Sequence, residues 1–214
     1  MKSLNECLLY GFVDTAYLNG RAPEDIAKAL CDGGADLIQL RAKGSSPAEI
    51  RGLAEAILPI TREANVGLVI NDYPDIAREV GADLCHLGQE DFFDAGHTHT
   101  SQISNPVQSG PGIGLSTHSV PQAARAIAAE PAYIAIGPVY ATGTKPSAKP
   151  VTLDYVRWAA ENVRIAWFAI GGINLENLDD VLAAGAGRIC VVSAILNASD
   201  IAATCREFKA RLEK

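Results

Sequence analysis

The segment YATGTKPSAKP, residues 140–150, gathers two threonine hydroxyls, a glycine and two lysines in a 214-residue chain of net charge −7. Hydroxyl, ammonium and accessible backbone N–H groups are the donors that bind phosphate oxygens. A solvated turn has the same composition. The segment therefore predicts either a phosphate-binding loop or an exposed turn, and its composition does not separate the two.

Two aspartates are candidate metal ligands, since Asp72 ends the apolar segment VGLVIND and Asp91 follows the apolar segment ADLCHLG. Two carboxylates, with phosphate oxygens and water as further ligands, are a usual arrangement for Mg²⁺. Alternatively, Asp72 caps a helix whose first turn contains Pro74, and Asp91 is a surface acid. Their positions in the sequence leave both interpretations open.

Further anion-binding candidates follow three other apolar segments. Arg41 and Lys43 alternate with Ala42, so in extended backbone both point to the same side as Gln39. Such cations either form ion pairs inside the protein or bind an anion at its surface. Gly171–Gly172 and Ser193 predict a phosphate site built from backbone N–H groups, with a plain tight turn as the alternative.

Eight short apolar segments precede these polar residues, and helix-like segments with proline near several starts and glycine at several ends separate them. Nearly continuous apolar strands are typical of a parallel sheet buried on both faces. Eight units of about 27 residues predict a single (β/α)₈ TIM barrel over residues 1–214. A doubly wound open sheet is the alternative, but the G-x-G-x-x-G fingerprint does not follow the first strand.

Active sites of such barrels lie at the carboxyl ends of the strands, where this chain places most of its candidate residues. The fourth helix is the exception to the pattern: residues 92–110 have no helical apolar period, and an irregular segment is expected there. His97 and His99 in this segment are interpreted as loop residues rather than metal ligands. His86 is interpreted as a strand residue packed or hydrogen-bonded at the barrel rim, and His118 as a residue near the site. No Ser-His-Asp or Cys-His arrangement can be assembled, so no nucleophile is assigned.

Composition limits the possible partners. A pI of about 5.1 argues against nucleic-acid binding. No apolar stretch is long enough to span a bilayer, and the first residues lack a signal-peptide pattern, so a cytoplasmic protein without membrane contact is expected. Five cysteines without C-x-x-C spacing predict reduced, mostly buried thiols. The sequence does not indicate the oligomeric state.

Six motifs occur together at these strand ends. They are QLRAK (39–43), INDYPDIAREVGADLCHLGQED (70–91), GLSTHS (114–119), AIGPVYATGTK (135–145), AIGGIN (169–174) and VVSAI (191–195). On these motifs the chain resembles the family of thiamine-phosphate synthases and thiazole tautomerases. The resemblance covers nearly the whole chain and is weakest before residue 8 and over residues 92–110.

The resemblance implies an enzyme that condenses two small molecules, a hydroxymethylpyrimidine diphosphate and a thiazole phosphate that is carboxylated in some cases. The products would be thiamine phosphate and pyrophosphate. The implied Mg²⁺ ligands are Asp72 and Asp91. The implied pyrimidine-diphosphate contacts are Gln39, Leu40, Arg41, Ala42, Lys43, Asn71, Ser116 and Lys145. The implied thiazole-phosphate contacts are Thr142, Gly143, Thr144, Gly172, Val192 and Ser193.

The reaction implied by the resemblance is a dissociative displacement, which needs no protein nucleophile. Catalysis would rest on groups that stabilise the leaving pyrophosphate, namely Arg41, Lys43, Ser116, Lys145 and Mg²⁺. A thiazole tautomerase, which has no pyrophosphate or metal to bind, is the first alternative. A non-catalytic barrel that binds thiamine phosphate is the second, suggested by the irregular segment after Asp91.

Overall fold

The strands form a closed barrel in the computed structural model, which describes residues 1–104, 110–143 and 149–214. Each strand pairs in parallel with the next, and β1 pairs with β8 through Leu9 opposite Ile189. The strands are β1 (Leu9–Asp14), β2 (Leu37–Arg41), β3 (Gly67–Asn71), β4 (Leu84–Leu87), β5 (Gly112–Thr117), β6 (Tyr133–Ile136), β7 (Trp167–Ile170) and β8 (Ile189–Cys190). The predicted (β/α)₈ barrel is confirmed, and the open sheet is excluded.

Helices cover the outside of the barrel and bury the outward faces of the strands. They are α1 (Pro23–Asp32), α2 (Pro47–Glu63), α3 (Pro74–Val80), α4 (Val120–Ala128), α5 (Thr152–Asn162), α6 (Leu178–Ala183), α7 (Ser193–Leu196) and α8 (Ile201–Leu212). Proline begins α1, α2 and α3, where its missing N–H costs no hydrogen bond. Ser46 and Glu49 form a capping box at the start of α2, and Gly81 ends α3 in the left-handed conformation.

The described residues between β4 and β5, 88–104 and 110–111, form no α-helix, as predicted for residues 92–110, of which 105–109 lie outside the described residues. Glu90–Asp94 form one turn of π-helix, and a short 3₁₀ turn follows at Thr100–Gln102. The π-turn is anchored on both sides: Phe92 is fully buried, and the Arg125 guanidinium lies 4.0 Å above the Phe93 ring. The irregular segment is therefore packed against the barrel close to Asp91.

Aromatic rings fill the barrel interior below the carboxyl ends of the strands. Tyr10 stacks on Phe12 with ring centroids 5.2 Å apart, and Tyr133 meets Phe168 edge to face at 5.5 Å. The Tyr133 ring lies against Gly114, where an added Cβ would come within 2.1 Å of it. Glycine at 114 therefore leaves room for this ring in the barrel.

Asp36 closes the opposite end of the barrel. Its buried carboxylate accepts hydrogen bonds from the backbone N–H groups of Leu8 (2.8 Å) and Leu9 (3.1 Å), and it forms ion pairs with Lys2 (2.8 Å) and Lys209 of α8. Burial alone would raise the pKa of Asp36, but these bonds outweigh it and hold the pKa below 3.8. One carboxylate thus joins the N-terminal segment, β1 and the last helix.

All five cysteines are unpaired, as the sequence predicts. Cys7, Cys85, Cys190 and Cys205 are buried and Cys31 is half-buried. Burial is the main reason that the pKa of each thiol lies above its usual value, which keeps them protonated and unreactive. None of the helices in the described ranges combines the length and apolar character that a membrane span needs.

Candidate active site

A cavity of about 330 Å³ opens at the carboxyl ends of the strands. Its volume is in the range of small-molecule sites. Most of the residues predicted from the sequence line it. They are Gln39, Arg41, Lys43, Asn71, Asp72, Asp91, Ser116, Thr142, Gly172, Val192 and Ser193.

Five of the predicted residues are not seen at the cavity. Leu40 and Ala42 are buried with their side chains turned away from it, because alternate residues of a strand face opposite sides. Gly143 is exposed and does not line the cavity. Thr144 and Lys145 lie outside the described residues.

Arg41 is held in place by a carboxylate that sequence reasoning missed. Asp14, the last residue of β1, is fully buried and pairs with Arg41 Nη1 through Oδ2 at 2.7 Å. Its Oδ1 accepts the Ala16 N–H at 3.0 Å, which fixes the carboxylate at the strand end. Asp14 ends β1, much as Asp72 comes directly after β3, and this position at a strand end was the available signal.

Lys43 is also paired, but nearer to solvent. Its ammonium contacts Asp72 Oδ2, and the two side chains are 56% and 16% exposed. Asp72 has a φ of +68°, and its N–H donates to the His86 carbonyl at 2.9 Å. Tyr73 is the N-cap residue of α3, so Asp72 does not cap that helix. Both cations thus form ion pairs and line the cavity, which confirms the ion pairs expected from sequence and leaves anion binding a prediction.

Asp91 is positioned by the turn that follows β4. Its Oδ2 accepts the Gly88 N–H at 3.2 Å, and a Cβ added at Gly88 would lie only 2.7 Å from that oxygen. Gln89 ties this turn to the barrel, because its Nε2 donates to the Ser116 carbonyl at 2.6 Å and its Oε1 accepts from Arg125 at 2.7 Å. The Asp91 carboxylate is therefore held at the cavity wall by a turn that Gln89 fixes to Ser116 and Arg125.

A second polar region lies on the opposite side of the cavity, after β7 and β8. Gly171 and Gly172 have φ values of +104° and +67°, a conformation that side chains disfavour. A Cβ at Gly172 would meet the Ala141 carbonyl at 2.7 Å, so the loop after β6 packs directly on this turn. Ser193 begins α7 beside it and also lines the cavity.

A chain of hydrogen bonds crosses the barrel beneath the cavity. Gln39 Nε2 lies 2.6 Å from Tyr10 Oη, which lies 2.9 Å from Tyr133 Oη. Tyr133 Oη lies 2.9 Å from His86 Nδ1, and His86 Nε2 lies 2.8 Å from Ser116 Oγ. Mainly because of burial, the pKa of His86 falls to about 4, so the imidazole is neutral at physiological pH.

Sequence reasoning assigned Tyr10 and Tyr133 no role, although both tyrosines stand inside otherwise apolar strands, which was the available signal. It placed His86 at the rim, and the hydrogen bonds of His86 agree with that interpretation. His118 lines the cavity as expected, and its Nδ1–H donates to the Gly137 carbonyl.

The histidines of the irregular segment lie elsewhere. The His97 ring packs 5.6 Å from Phe92, and His99 Nε2 approaches Glu130 at 3.2 Å. Across residues 1–104, 110–143 and 149–214, no three His, Cys, Asp or Glu side chains form a cluster that could hold a metal. His97 and His99 lie outside the helices and strands, as the loop interpretation expects, and neither lines the cavity.

Comparison with known proteins identifies the family. The thiamine monophosphate synthase family matches residues 9–195. A thiamine-phosphate synthase of Thermus thermophilus is 44% identical over 181 residues, covering 84% of each chain. That of Acidothermus cellulolyticus is 41% identical over 213 residues, covering 98% of this chain and 97% of the other.

A solved structure agrees with these relatives. Thiamine phosphate pyrophosphorylase from Pyrococcus furiosus superposes with a TM-score of 0.86 at 27% identity, covering 99% of this chain and 98% of the other. The resemblance inferred from the six motifs is confirmed. The chain belongs to the thiamine monophosphate synthase family.

Proposed function

We propose that this chain is a thiamine-phosphate synthase that condenses hydroxymethylpyrimidine diphosphate with a thiazole phosphate and releases pyrophosphate. One observation carries the proposal: a single cavity combines two polar regions. Arg41, Lys43, Asp72 and Asp91 lie after β2, β3 and β4, whereas Gly172 and Ser193 follow β7 and β8. A tautomerase would need only the second region, because its substrate carries one phosphate and no leaving pyrophosphate.

The donor set fits Mg²⁺. Asp72 and Asp91 each use Oδ2 in the contacts described above, and each Oδ1 has no partner within the described ranges. Two protein carboxylates suit an ion that keeps several waters and takes further ligands from a substrate diphosphate. We propose that these two aspartates hold the ion, which when bound would neutralise negative charge on the diphosphate.

In the proposed reaction, the bond between the pyrimidine methylene carbon and the diphosphate oxygen breaks first, and its electron pair leaves with pyrophosphate. The thiazole nitrogen then donates its lone pair to the methylene carbon. Arg41 and Lys43 would stabilise the departing oxygens, and Asn71 and Ser116 would donate hydrogen bonds to the first substrate. Because Asp14 fixes Arg41 before the reaction, Arg41 would stabilise developing charge without reorganising.

The thiazole phosphate is proposed to bind at Thr142, Gly172, Val192 and Ser193. Thr144 and Lys145, which lie outside the described residues, are proposed to contribute as well, Lys145 by stabilising pyrophosphate. The contact between Gly172 and the Ala141 carbonyl supports a role for this loop, since it brings residues just before Thr142 onto the phosphate-binding turn.

We also propose that residues 1–214 act as one domain and that the enzyme works in the cytoplasm. Five unpaired cysteine thiols support a reducing compartment.

The test is synthesis in vitro, followed as pyrophosphate release and thiamine phosphate formation with both substrates and Mg²⁺. Asp91→Asn should raise the Mg²⁺ concentration for half-maximal rate by at least about tenfold, equivalent to about 1.4 kcal/mol. Asp75→Asn is the matched control, because Asp75 pairs with Arg78 on the surface of α3 and, among the described residues, does not line the cavity.

The alternatives give different results in the same assay. A folded wild-type protein that forms no thiamine phosphate would refute the synthase. Conversion of thiazole phosphate alone, unaffected by a chelator, would identify a tautomerase. Thiamine phosphate binding without turnover would identify a binding protein.

A further inference from the structure

The hydrogen-bond chain beneath the cavity has two end members, Gln39 and Ser116, and three interior members, Tyr10, Tyr133 and His86; all of them except Tyr133 line the cavity. Within the described residues, the side chain of each interior member forms hydrogen bonds only with its two neighbours in the hydrogen-bond chain. A tyrosine hydroxyl has one proton to donate, and a neutral imidazole has one donor and one acceptor nitrogen. The direction of one bond therefore determines the direction of the next.

The Gln39 amide sets this direction. Its Nε2 can only donate, so Tyr10 Oη accepts from it and gives its own proton to Tyr133. Tyr133 in turn donates to His86 Nδ1, which leaves the imidazole proton on Nε2. That N–H donates to Ser116 Oγ, so the Ser116 hydroxyl proton is free to point into the cavity.

The two tyrosine hydroxyls of the hydrogen-bond chain keep their protons. Burial raises the pKa of both Tyr10 and Tyr133 well above 10, so both hydroxyls remain protonated. The Tyr133 ring is fixed between Gly114 and the stacked His86 ring, with 5.6 Å between ring centroids. The hydrogen-bond chain is therefore held rigidly and carries no charge.

We propose that Tyr10, Tyr133 and His86 are positioning residues that fix Gln39 as a hydrogen-bond acceptor and Ser116 as a donor toward the substrate. This inference rests on the proposed function. With Nε2 turned to Tyr10, Oε1 is the Gln39 atom left for a ligand. An aminopyrimidine presents the complementary pair, an amino donor and a ring-nitrogen acceptor, whereas its 4-oxo analogue presents the reverse. The hydrogen-bond chain favours the amino form because Gln39 Oε1 can only accept, so the oxygen of the 4-oxo analogue would meet another acceptor there.

A spectroscopic test needs no substrate. In protein labelled with ¹⁵N-histidine, the His86 signals, assigned through contact with the Tyr133 ring, should show a protonated Nε2 and an unprotonated Nδ1. Tyr133→Phe keeps the ring but removes the donor to Nδ1, so both tautomers should appear. Tyr10→Phe removes the link between Gln39 and Tyr133, so the direction is no longer set and both tautomers should appear in this variant as well. A wild-type protein with the proton on Nδ1 would overturn the proposal.

A kinetic test uses the diphosphates of the aminopyrimidine and of its 4-oxo analogue. Tyr133→Phe should raise the KM for the amino substrate about tenfold, as expected for a weakened hydrogen bond, and leave the KM for thiazole phosphate unchanged. The preference for the amino form, measured as the Ki of the analogue over the KM of the substrate, should fall by about the same factor.

Tyr155→Phe is the matched control. It also removes a buried tyrosine hydroxyl, but this hydroxyl contacts Thr117 Oγ1 and the Ser119 carbonyl, each at 2.8 Å, and does not belong to the hydrogen-bond chain. It should keep the wild-type preference for the amino form. If Tyr133→Phe also keeps the wild-type preference, the hydrogen-bond chain has only a structural role, and the proposal fails even though the enzyme is a synthase. If no synthesis occurs but the His86 tautomers behave as expected, only the proposed function fails.

Discussion

Replacing Asp14 by asparagine tests whether a buried carboxylate positions Arg41 for the reaction. Asp14 is 1% exposed at its side chain and Arg41 is 21% exposed. Asparagine has nearly the same shape and can still accept the Ala16 N–H through its carbonyl oxygen. Its amide nitrogen, however, would place a donor against the donor Nη1 of Arg41, so the 2.7 Å ion pair is lost.

The expected cost follows from this geometry. Removing one partner of a buried ion pair costs about 3–5 kcal/mol, but the partly exposed Arg41 can regain some hydration, which lowers the expected loss to about 3 kcal/mol. For a chain of this length, that loss corresponds to a fall in Tm of about 6–12 °C. A misplaced Arg41 should also lower kcat/KM for the pyrimidine diphosphate by about 10- to 100-fold, or about 1.4–2.7 kcal/mol.

Asp36→Asn supplies the control for stability. Asp36 is also a buried, ion-paired carboxylate, but it lies at the opposite end of the barrel. Both variants should unfold at lower temperature in calorimetry, and both are then assayed well below their transitions. We expect only Asp14→Asn to change kcat/KM for the pyrimidine diphosphate.

A folded Asp14→Asn protein with wild-type kcat/KM would refute the role of Asp14 in positioning Arg41. In that case Asp14 would be a stabilising residue like Asp36, and Arg41 would not act on the leaving group. Equal kinetic losses in both variants would also refute it, since a general loosening of the barrel would then explain the effect.

Two further predictions concern Gly88 and the pH dependence of stability. Gly88→Ala places a methyl group 2.7 Å from Asp91 Oδ2, so the carboxylate must move. The Mg²⁺ concentration for half-maximal rate should rise, while the free energy of unfolding in urea changes by less than about 1 kcal/mol. An unchanged Mg²⁺ requirement would contradict the placement of Asp91. Because the folded-state pKa of Asp36 is lowered, its stabilising contribution is complete above the unfolded-state pKa of about 3.9 and is lost as the pH falls through the folded-state pKa. The difference in unfolding free energy between wild type and Asp36→Asn should therefore be largest at neutral pH and shrink below about pH 4, and a difference that grows in acid would contradict this assignment.

The fold could be predicted because each strand-helix unit carries its own local signals. Apolar runs mark the strands, and proline and glycine mark the helix ends, so eight repeats imply the barrel without knowledge of any long-range contact. The absence of a helical apolar period after Asp91 likewise predicted the irregular segment. Its π-turn could not be predicted, because it depends on distant contacts such as Arg125 over Phe93.

The cavity residues could be predicted where the chemistry lies at a strand end, as for Asp72, Ser116 and Ser193. Residues that act through others were missed. Asp14, Tyr10 and Tyr133 lie on strands whose sequences predict core residues. Their contacts depend on partners that only the closed barrel brings near, such as Arg41 and His86. The alternation of strand side chains could have excluded Leu40 and Ala42, since only every second residue of β2 faces the cavity.

The two cation–carboxylate pairs explain how an acidic chain can bind anionic substrates. Arg41 is paired with a buried partner, which fixes its position, and it lines the cavity. Lys43 is paired with Asp72 at the cavity mouth, where both side chains retain contact with solvent. Such an exposed pair contributes only about 0–1 kcal/mol, so Lys43 can turn from Asp72 to a phosphate at little cost. One cation is therefore held rigidly while the other can exchange partners, and the carboxylates prevent an excess of positive charge when no substrate is bound.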